Sequence, residues 1–126
     1  MFKNSKAFSS FSVNDMQEAK KFYGNTLGME VSEIPEMQGM LELKIANGSR
    51  VFVYSKPNHE PATFTILNFP VENIDKAVDD LNKLGITCEQ YDFGDNKTDA
   101  KGIMRGKPNV AWFKDPAGNI LSVIEG

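Results

Sequence analysis

The sequence is poor in the residues that most often declare a chemistry. Among 126 residues there is one histidine, His59, and one cysteine, Cys88. A lone cysteine excludes an intrachain disulfide. A lone histidine excludes a two-histidine, one-carboxylate iron site within one chain. Cys88 lies in ITCEQY, which reads as a strand, with no local cation or helix N-terminus to activate a thiolate; it is expected to be a packing residue. No apolar run is long enough to span a bilayer. Fourteen Lys and Arg are scattered among seventeen Asp and Glu, for a net charge of −3, so no basic footprint for nucleic acid is present. The opening MFKNSKAFSS has neither the apolar core nor the cleavage site of a signal peptide, and a cytoplasmic location is the default expectation. A hydrophobic content of 40% and a charged content of 25% fit one ordinary globular domain with a real core.

What the chain does contain is an internal repeat. At an offset of about 58, Val13 matches Val71, Met16 matches Ile74 and Ala19 matches Ala77; Leu27-Gly28 matches Leu84-Gly85 after a gap of one residue. Asn47-Gly48 before RVFVYS corresponds to Ala117-Gly118 before NILSVI. Each half reads as strand, helix and three strands, with modules at about 1–57 and 62–126. The first half has a strand at 6–13 and a helix at 14–26, with Met16, Ala19, Phe22, Tyr23 and Leu27 at helical spacing. Asn14 or Asp15 caps that helix and Gly28 stops it. Strands are expected near 29–34, 40–46 and 50–55. The second half has a helix at 73–84 ending at Gly85, and strands near 86–91, 109–114 and 119–125. Residues 92–108 read as a long mobile loop with room for a short strand at Ile103–Arg105; a loop of that length is often functional.

These modules carry V-N-D-M, F-Y and L-G-M in the first half and W-F-K-D-P-A-G-N-I-L-S in the second. Together they resemble the vicinal oxygen chelate superfamily, the group of glyoxalase I, extradiol dioxygenases, fosfomycin-modifying enzymes and bleomycin-resistance proteins. The resemblance implies an α+β fold in which two tandem βαβββ modules form an open, mixed-sheet, barrel-like cavity. It also implies a homodimer. In that family four equivalent strand positions carry metal ligands, and carried over to this sequence they are Phe8, Phe52, Ile66 and Ser122. The resemblance therefore extends to the location of a metal site and not to its ligands, and no metal or other cofactor is expected.

Hairpin geometry suggests which side chains share a face. A two-residue Asn47-Gly48 turn pairs Leu43 with Phe52 and Leu41 with Tyr54, which turns Glu42 away. A three-residue turn at Asp115-Pro116-Ala117-Gly118 pairs Asp115 with Asn119, and hence Trp112 with Ser122. Alternation adds Ser10 and Ser12 to Phe8, and Phe64 and Asn68 to Ile66. The expected lining is thus apolar and aromatic, without a carboxylate, and Phe8, Phe52, Tyr54, Phe64, Ile66, Asn68, Trp112 and Ser122 are its candidate ligand-binding residues. Trp112 reads equally as a stacking platform or a core residue. Ser122 reads as a hydrogen-bonding residue, because a nucleophile needs an adjacent base and none falls on that face. Arg105, with Lys101 and Lys107, reads as a loop cation that either greets an anionic ligand or is simply solvated. His59, in the Pro-rich SKPNHEPA, is either an exposed loop residue or a general base over the cavity. Three functions are open at this point. One is metal-free sequestration of a small, partly aromatic molecule; the second is a glyoxalase-like lyase or isomerase using His59 with Tyr54 or a loop carboxylate such as Asp99, or an unrecognised metal; the third is a structural or regulatory module whose cavity is simply filled.

Overall fold

The computed structural model describes all of residues 1–126. Its chain divides into two units, Met1–Pro61 and Ala62–Gly126. Unit 1 contains β1 (Ser9–Val13), α1 (Met16–Lys20, continuing as a π-helix over Lys21–Thr26), β2 (Glu30–Glu33), β3 (Met40–Lys44) and β4 (Arg50–Ser55). Unit 2 contains β5 (Thr65–Pro70), α2 (Ile74–Lys83), β6 (Ile103–Met104), β7 (Asn109–Lys114) and β8 (Ile120–Glu125). Each unit makes one four-stranded mixed sheet, in the orders β1-β4-β3-β2 and β5-β8-β7-β6. The first strand of each order runs parallel to its neighbour, and the rest of each sheet is antiparallel.

Local chemistry explains why the two helices start alike. The Asp15 carboxylate accepts the Glu18 amide at 3.1 Å, and the Asn73 side chain accepts the Lys76 amide at 3.0 Å. Both residues are extended N-caps at the same position of the repeat, and each satisfies one of the amide donors that a helix start leaves unpaired. The helices then differ. The one-residue gap between Ala19 and Leu27 falls within the π-helical stretch, where the Leu27 amide donates to the Phe22 carbonyl at 2.8 Å. A π turn holds one more residue than an α turn of equal rise, so the first helix stores the insertion without shifting either neighbour.

The two cores are built on the same plan. In unit 1, Val13, Leu41, Leu43, Val51 and Val53 alternate onto the face that meets Ala19, Phe22 and Tyr23 of the helix, all buried. Tyr23 is fully buried and packs edge-on to Phe22, with ring centroids 5.1 Å apart. In unit 2, Ala111, Phe113, Leu121 and Val123 meet Ile74, Val78 and Leu81 of α2, again all buried.

Three expectations change. First, the Asn47-Gly48 turn is not a two-residue hairpin. The Gly48 amide donates to the Ile45 carbonyl and the Ile45 amide to the Ser49 carbonyl, so three residues, Ala46 to Gly48, form the loop. The register therefore pairs Glu42 with Phe52, Leu41 with Val53 and Met40 with Tyr54, which places Leu41 and Leu43 on the helix-covered face and Glu42 on the face of Phe52. Secondly, residues 86–91 are not a strand. β6 takes Val110 and Ala111 of β7 as partners, and the preceding segment is left a single backbone bond to that strand, from the Glu89 amide to the Trp112 carbonyl at 2.8 Å. Thirdly, the register of β5 against β8 shifts between Thr65 and Leu67, and Ile66 is the residue left without a ladder partner.

The segment 92–108 is tied down along its length. The buried Thr98 hydroxyl accepts the Tyr91 amide, and Asp99 accepts the amides of Lys101 and Ile103. Lys101 and Arg105 both bind Asp75 in the first turn of α2, at 3.1 and 2.8 Å. No helix is long and apolar enough to cross a membrane.

Candidate functional site

On unit 2, the sheet face turned away from α2 carries an open aromatic pocket of about 280 Å³. Trp112 of β7 forms its floor. The indole Nε1–H donates to the Thr65 hydroxyl at 3.1 Å, a partner that the shifted register of β5 places within reach. Tyr91 stands edge-on to Trp112, with centroids 5.4 Å apart, and Phe93 stacks on Tyr91 at 5.7 Å. Phe64, Thr63 and Ile120 complete the wall. Phe64 is 68% exposed and Phe93 66%, unusual for phenylalanines beside a ready-made aromatic wall. No ionisable side chain other than the Tyr91 phenol lines this pocket. Burial pushes that phenol above its usual range, and the nearby Glu89 adds to the effect, so it stays neutral at physiological pH.

Thr65 gives the pocket its polar edge. Its oxygen accepts from the indole, and its hydroxyl proton is thereby free to point to a second acceptor. Beside the tryptophan, Ser122 stands opposite Trp112 on one side and Asn68 on the other. The buried Ser122 hydroxyl donates to the Asn68 side-chain oxygen at 2.5 Å, so serine here is a hydrogen-bonding residue of the sheet.

The remaining candidates separate. Phe8 stacks on Phe52 in unit 1, with centroids 4.6 Å apart, and the Arg50 guanidinium lies 4.9 Å from the Phe52 ring centroid. Glu42 shares this face, correcting the expectation of a carboxylate-free lining. Its oxygens accept from Arg50 Nε at 2.7 Å and Nη2 at 3.4 Å, and the Arg50 hydrogen bond lowers its pKa below the usual carboxylate range. Tyr54 is half-buried and pairs with Ser12 across the parallel β1–β4 ladder. His59 is also half-buried, and its Nδ1 lies 2.7 Å from the Ser12 hydroxyl. Arg105 is not among the aromatic groups: Asp75 and Asp99 occupy its guanidinium. Ile66 does not line the pocket, because the register shift puts Thr65 there instead. Tyr91 and Phe93 were not singled out from sequence. The signal was an aromatic pair at i, i+2 opening an otherwise polar stretch, YDFGDNKTD, where a buried strand would not have placed it.

Phe8, Phe52, Ile66 and Ser122, the positions that the resemblance matches to family metal ligands, offer three hydrocarbon side chains and one hydroxyl, a donor set unsuited to a divalent ion. No three His, Cys, Asp or Glu side chains are grouped to hold a metal.

Comparison with known proteins places this architecture. An uncharacterized protein of Bacillus subtilis, YraH, is 29% identical over 123 residues, covering 88% of this chain and 90% of that protein. A Bacillus anthracis protein assigned to the glyoxalase family superposes with a TM-score of 0.71 at 24% identity, covering 100% of this chain and 99% of that one. The fosfomycin resistance protein FosX of Listeria monocytogenes superposes with a TM-score of 0.67 at 14% identity, over 95% and 91%. At these identities the solved structures speak to the fold alone. The family model that matches residues 8–123 spans both units, and the chain belongs to the Glyoxalase/Bleomycin resistance protein/Dioxygenase superfamily.

Proposed function

We propose that this protein is a metal-independent member of its superfamily that binds a small, uncharged, partly aromatic molecule, with the unit 2 pocket as the aromatic part of the site. One observation carries the reading: Trp112, Tyr91, Phe93 and Phe64 surround an open volume whose fixed polar edge is the Thr65 hydroxyl. Flat apolar surface gains about 25 cal/mol per Å² on burial, and well-placed rings add about 0.5–1.5 kcal/mol per pair. The hydroxyl favours a ligand with a hydrogen-bond acceptor beside its ring. The absence of ionised lining side chains disfavours strongly charged ligands, whose desolvation nothing there would offset. The reading includes a homodimer, no resident cofactor and no nucleic-acid partner.

Trp112 is the only tryptophan, so its fluorescence reports on this pocket alone. Titration with a panel of neutral aryl ketones, phenols and amides is expected to shift or quench the emission saturably. For the tightest binder, Thr65→Val should weaken binding about tenfold and Phe93→Ala by a similar factor, each near 1.4 kcal/mol. A flat response across the panel, or stoichiometric divalent metal retained by chelator-free protein in native mass spectrometry, would overturn the proposal.

A further inference from the structure

Outside the aromatic pocket, one pair of side chains has the chemistry of an activated nucleophile. The backbone of residues 56–59 brings it together. The Lys56 amide donates to the Val13 carbonyl at 3.0 Å, which carries the chain one step past β4 alongside the end of β1. A turn closed by the His59 amide on the Lys56 carbonyl, with Pro57 at its second position, then reverses the chain. His59 is folded back onto Ser12, and its Nδ1 sits 2.7 Å from the hydroxyl oxygen. Ser12 lies on the sheet face that α1 does not cover, next to Tyr54 on β4. Both members of the pair are only part-buried, and the same face carries the exposed Phe8 ring on Phe52.

We propose that Ser12 and His59 form a nucleophile–base pair that transfers the acyl group of small uncharged esters. With the imidazole proton on Nε2, Nδ1 accepts the Ser12 proton as the oxygen attacks the ester carbonyl carbon. The new Ser12 Oγ–C bond forms and the ester C–O bond breaks. The proton held by His59 passes to the departing alkoxide, so that alcohol leaves and an acyl-serine remains. Water then attacks that carbonyl and gives a proton to His59; the acyl C–Oγ bond breaks, His59 returns the proton to Ser12 Oγ, and the acid leaves. Tyr54, the cross-strand partner of Ser12 on β4, shares its sheet face and is the nearest side chain that could donate to a developing oxyanion. Farther along the same sheet face lie the stacked Phe8 and Phe52 rings, with Arg50 over Phe52. The pair belongs to unit 1 and the aromatic pocket to unit 2, so either reading can fail without the other.

A fluorophosphonate probe tests the pair, because displacement of fluoride by serine leaves a stable adduct that mass spectrometry can place. The expected result is one phosphonyl group per folded chain, mapped to the peptide bearing Ser12. Labelling should slow at least about 100-fold in His59→Gln. Hydrolysis of 4-nitrophenyl acetate should show the same dependence. A folded wild-type chain that takes no adduct overturns the proposal and leaves the contact as a pin for the segment 56–59. An adduct on another residue, or equal labelling of His59→Gln, overturns it as well.

Discussion

The two units solve one fold problem with opposite side-chain choices at the centre of the exposed sheet face. Their strand orders correspond, and their hairpins are alike: Ile45 closes on Ser49 around Gly48 as Asp115 closes on Asn119 around Gly118. The central cross-strand pair is Glu42–Phe52 in unit 1 and Trp112–Ser122 in unit 2. Each pair has one aromatic and one polar member, in reversed order. Arg50 flanks the first pair, holding Glu42 and covering Phe52; the equivalent position in unit 2 is Ile120, which leaves the tryptophan beside an open volume. Turn, cap and helix-facing residues answer to folding and stay alike, whereas the open face is free to differ. That freedom is why a likeness of fold leaves the ligand to be argued from the site.

The units also differ in how the helix reaches its edge strand, and here the largest stability effect is expected. Residues 27–29 suffice in unit 1, whereas unit 2 uses residues 84–102. The longer connection closes where Gly102, at φ +87°, approaches Cys88: an added Cβ would lie 2.8 Å from the Cys88 Cβ and 3.1 Å from the Glu89 carbonyl oxygen. Burial holds the Cys88 thiol in its protonated form, consistent with a packing role. Gly48 in unit 1 has a similar φ of +87° but open space around it. Gly102→Ala should therefore destabilise the protein by about 2–4 kcal/mol, a left-handed penalty plus overpacking, and Gly48→Ala by about 1–2 kcal/mol from the backbone alone. Urea unfolding of the two variants measures the difference. Equal losses would mean that the Cys88–Gly102 approach relaxes freely.

Much of this plan was legible in the sequence because it rests on local chemistry repeated twice. Val13 and Val71, a cap at Asn14 or Asp15, and the helical spacing of Met16, Ala19, Ile74 and Val78 all carry their structural meaning within a few residues. The repeat carries the Asp15 cap on to Asn73, which the expected range 73–84 places inside the second helix. Errors arose where a local rule competed with the repeat. Asn-Gly favours a two-residue turn, yet the alignment of Gly48 with Gly118 pointed to the three-residue loop that forms, and with it to Glu42 facing Phe52. ITCEQY has strand character, but an edge position is settled by which segment reaches β7 first, and Ile103–Met104 occupies it. The shift after Thr65 has no local signature, so alternation carried Ile66 into the site in place of Thr65. The Ser12–His59 contact spans 47 residues and depends on the turn at Pro57, beyond the reach of any periodicity.

A smaller effect should separate the units by pH. Asp75 occupies the repeat position of Gln17, which carries no charge to pair. Hydrogen bonds from Arg105, then from Lys101, hold its carboxyl well below the usual carboxylate range. The folded state thus binds this proton less readily than the unfolded one. The stabilisation is fully present above the unfolded value, near about pH 4, and is lost as pH falls through the lower folded value. Asp75→Asn should lower the melting temperature by a few degrees at pH 7, while the two proteins converge at the acid end. Because Asp75 is partly exposed, 1 M salt should shrink the gap at pH 7. A gap that does not change with pH would assign the effect of Asp75→Asn to lost shape and hydrogen bonding rather than charge.

The smallest effect should come from removing the one residue by which the helices differ. Asn25 is exposed within the π-helical stretch, and deleting it brings Leu27 to the spacing that Leu84 holds in unit 2. If the π turn only stores an insertion, the shortened helix becomes α throughout, Phe22 and Tyr23 keep their burial, and stability moves by no more than about 1 kcal/mol. Far-UV circular dichroism and the urea midpoint would then stay close to wild type. A large loss would mean that the wide turn is needed to aim β2, since the Met29 amide donates to the Tyr23 carbonyl at 2.9 Å just before that strand begins. In that case the units differ at the helix by structural requirement, and the insertion is part of how unit 1 delivers its edge strand directly while unit 2 takes the longer route through Gly102.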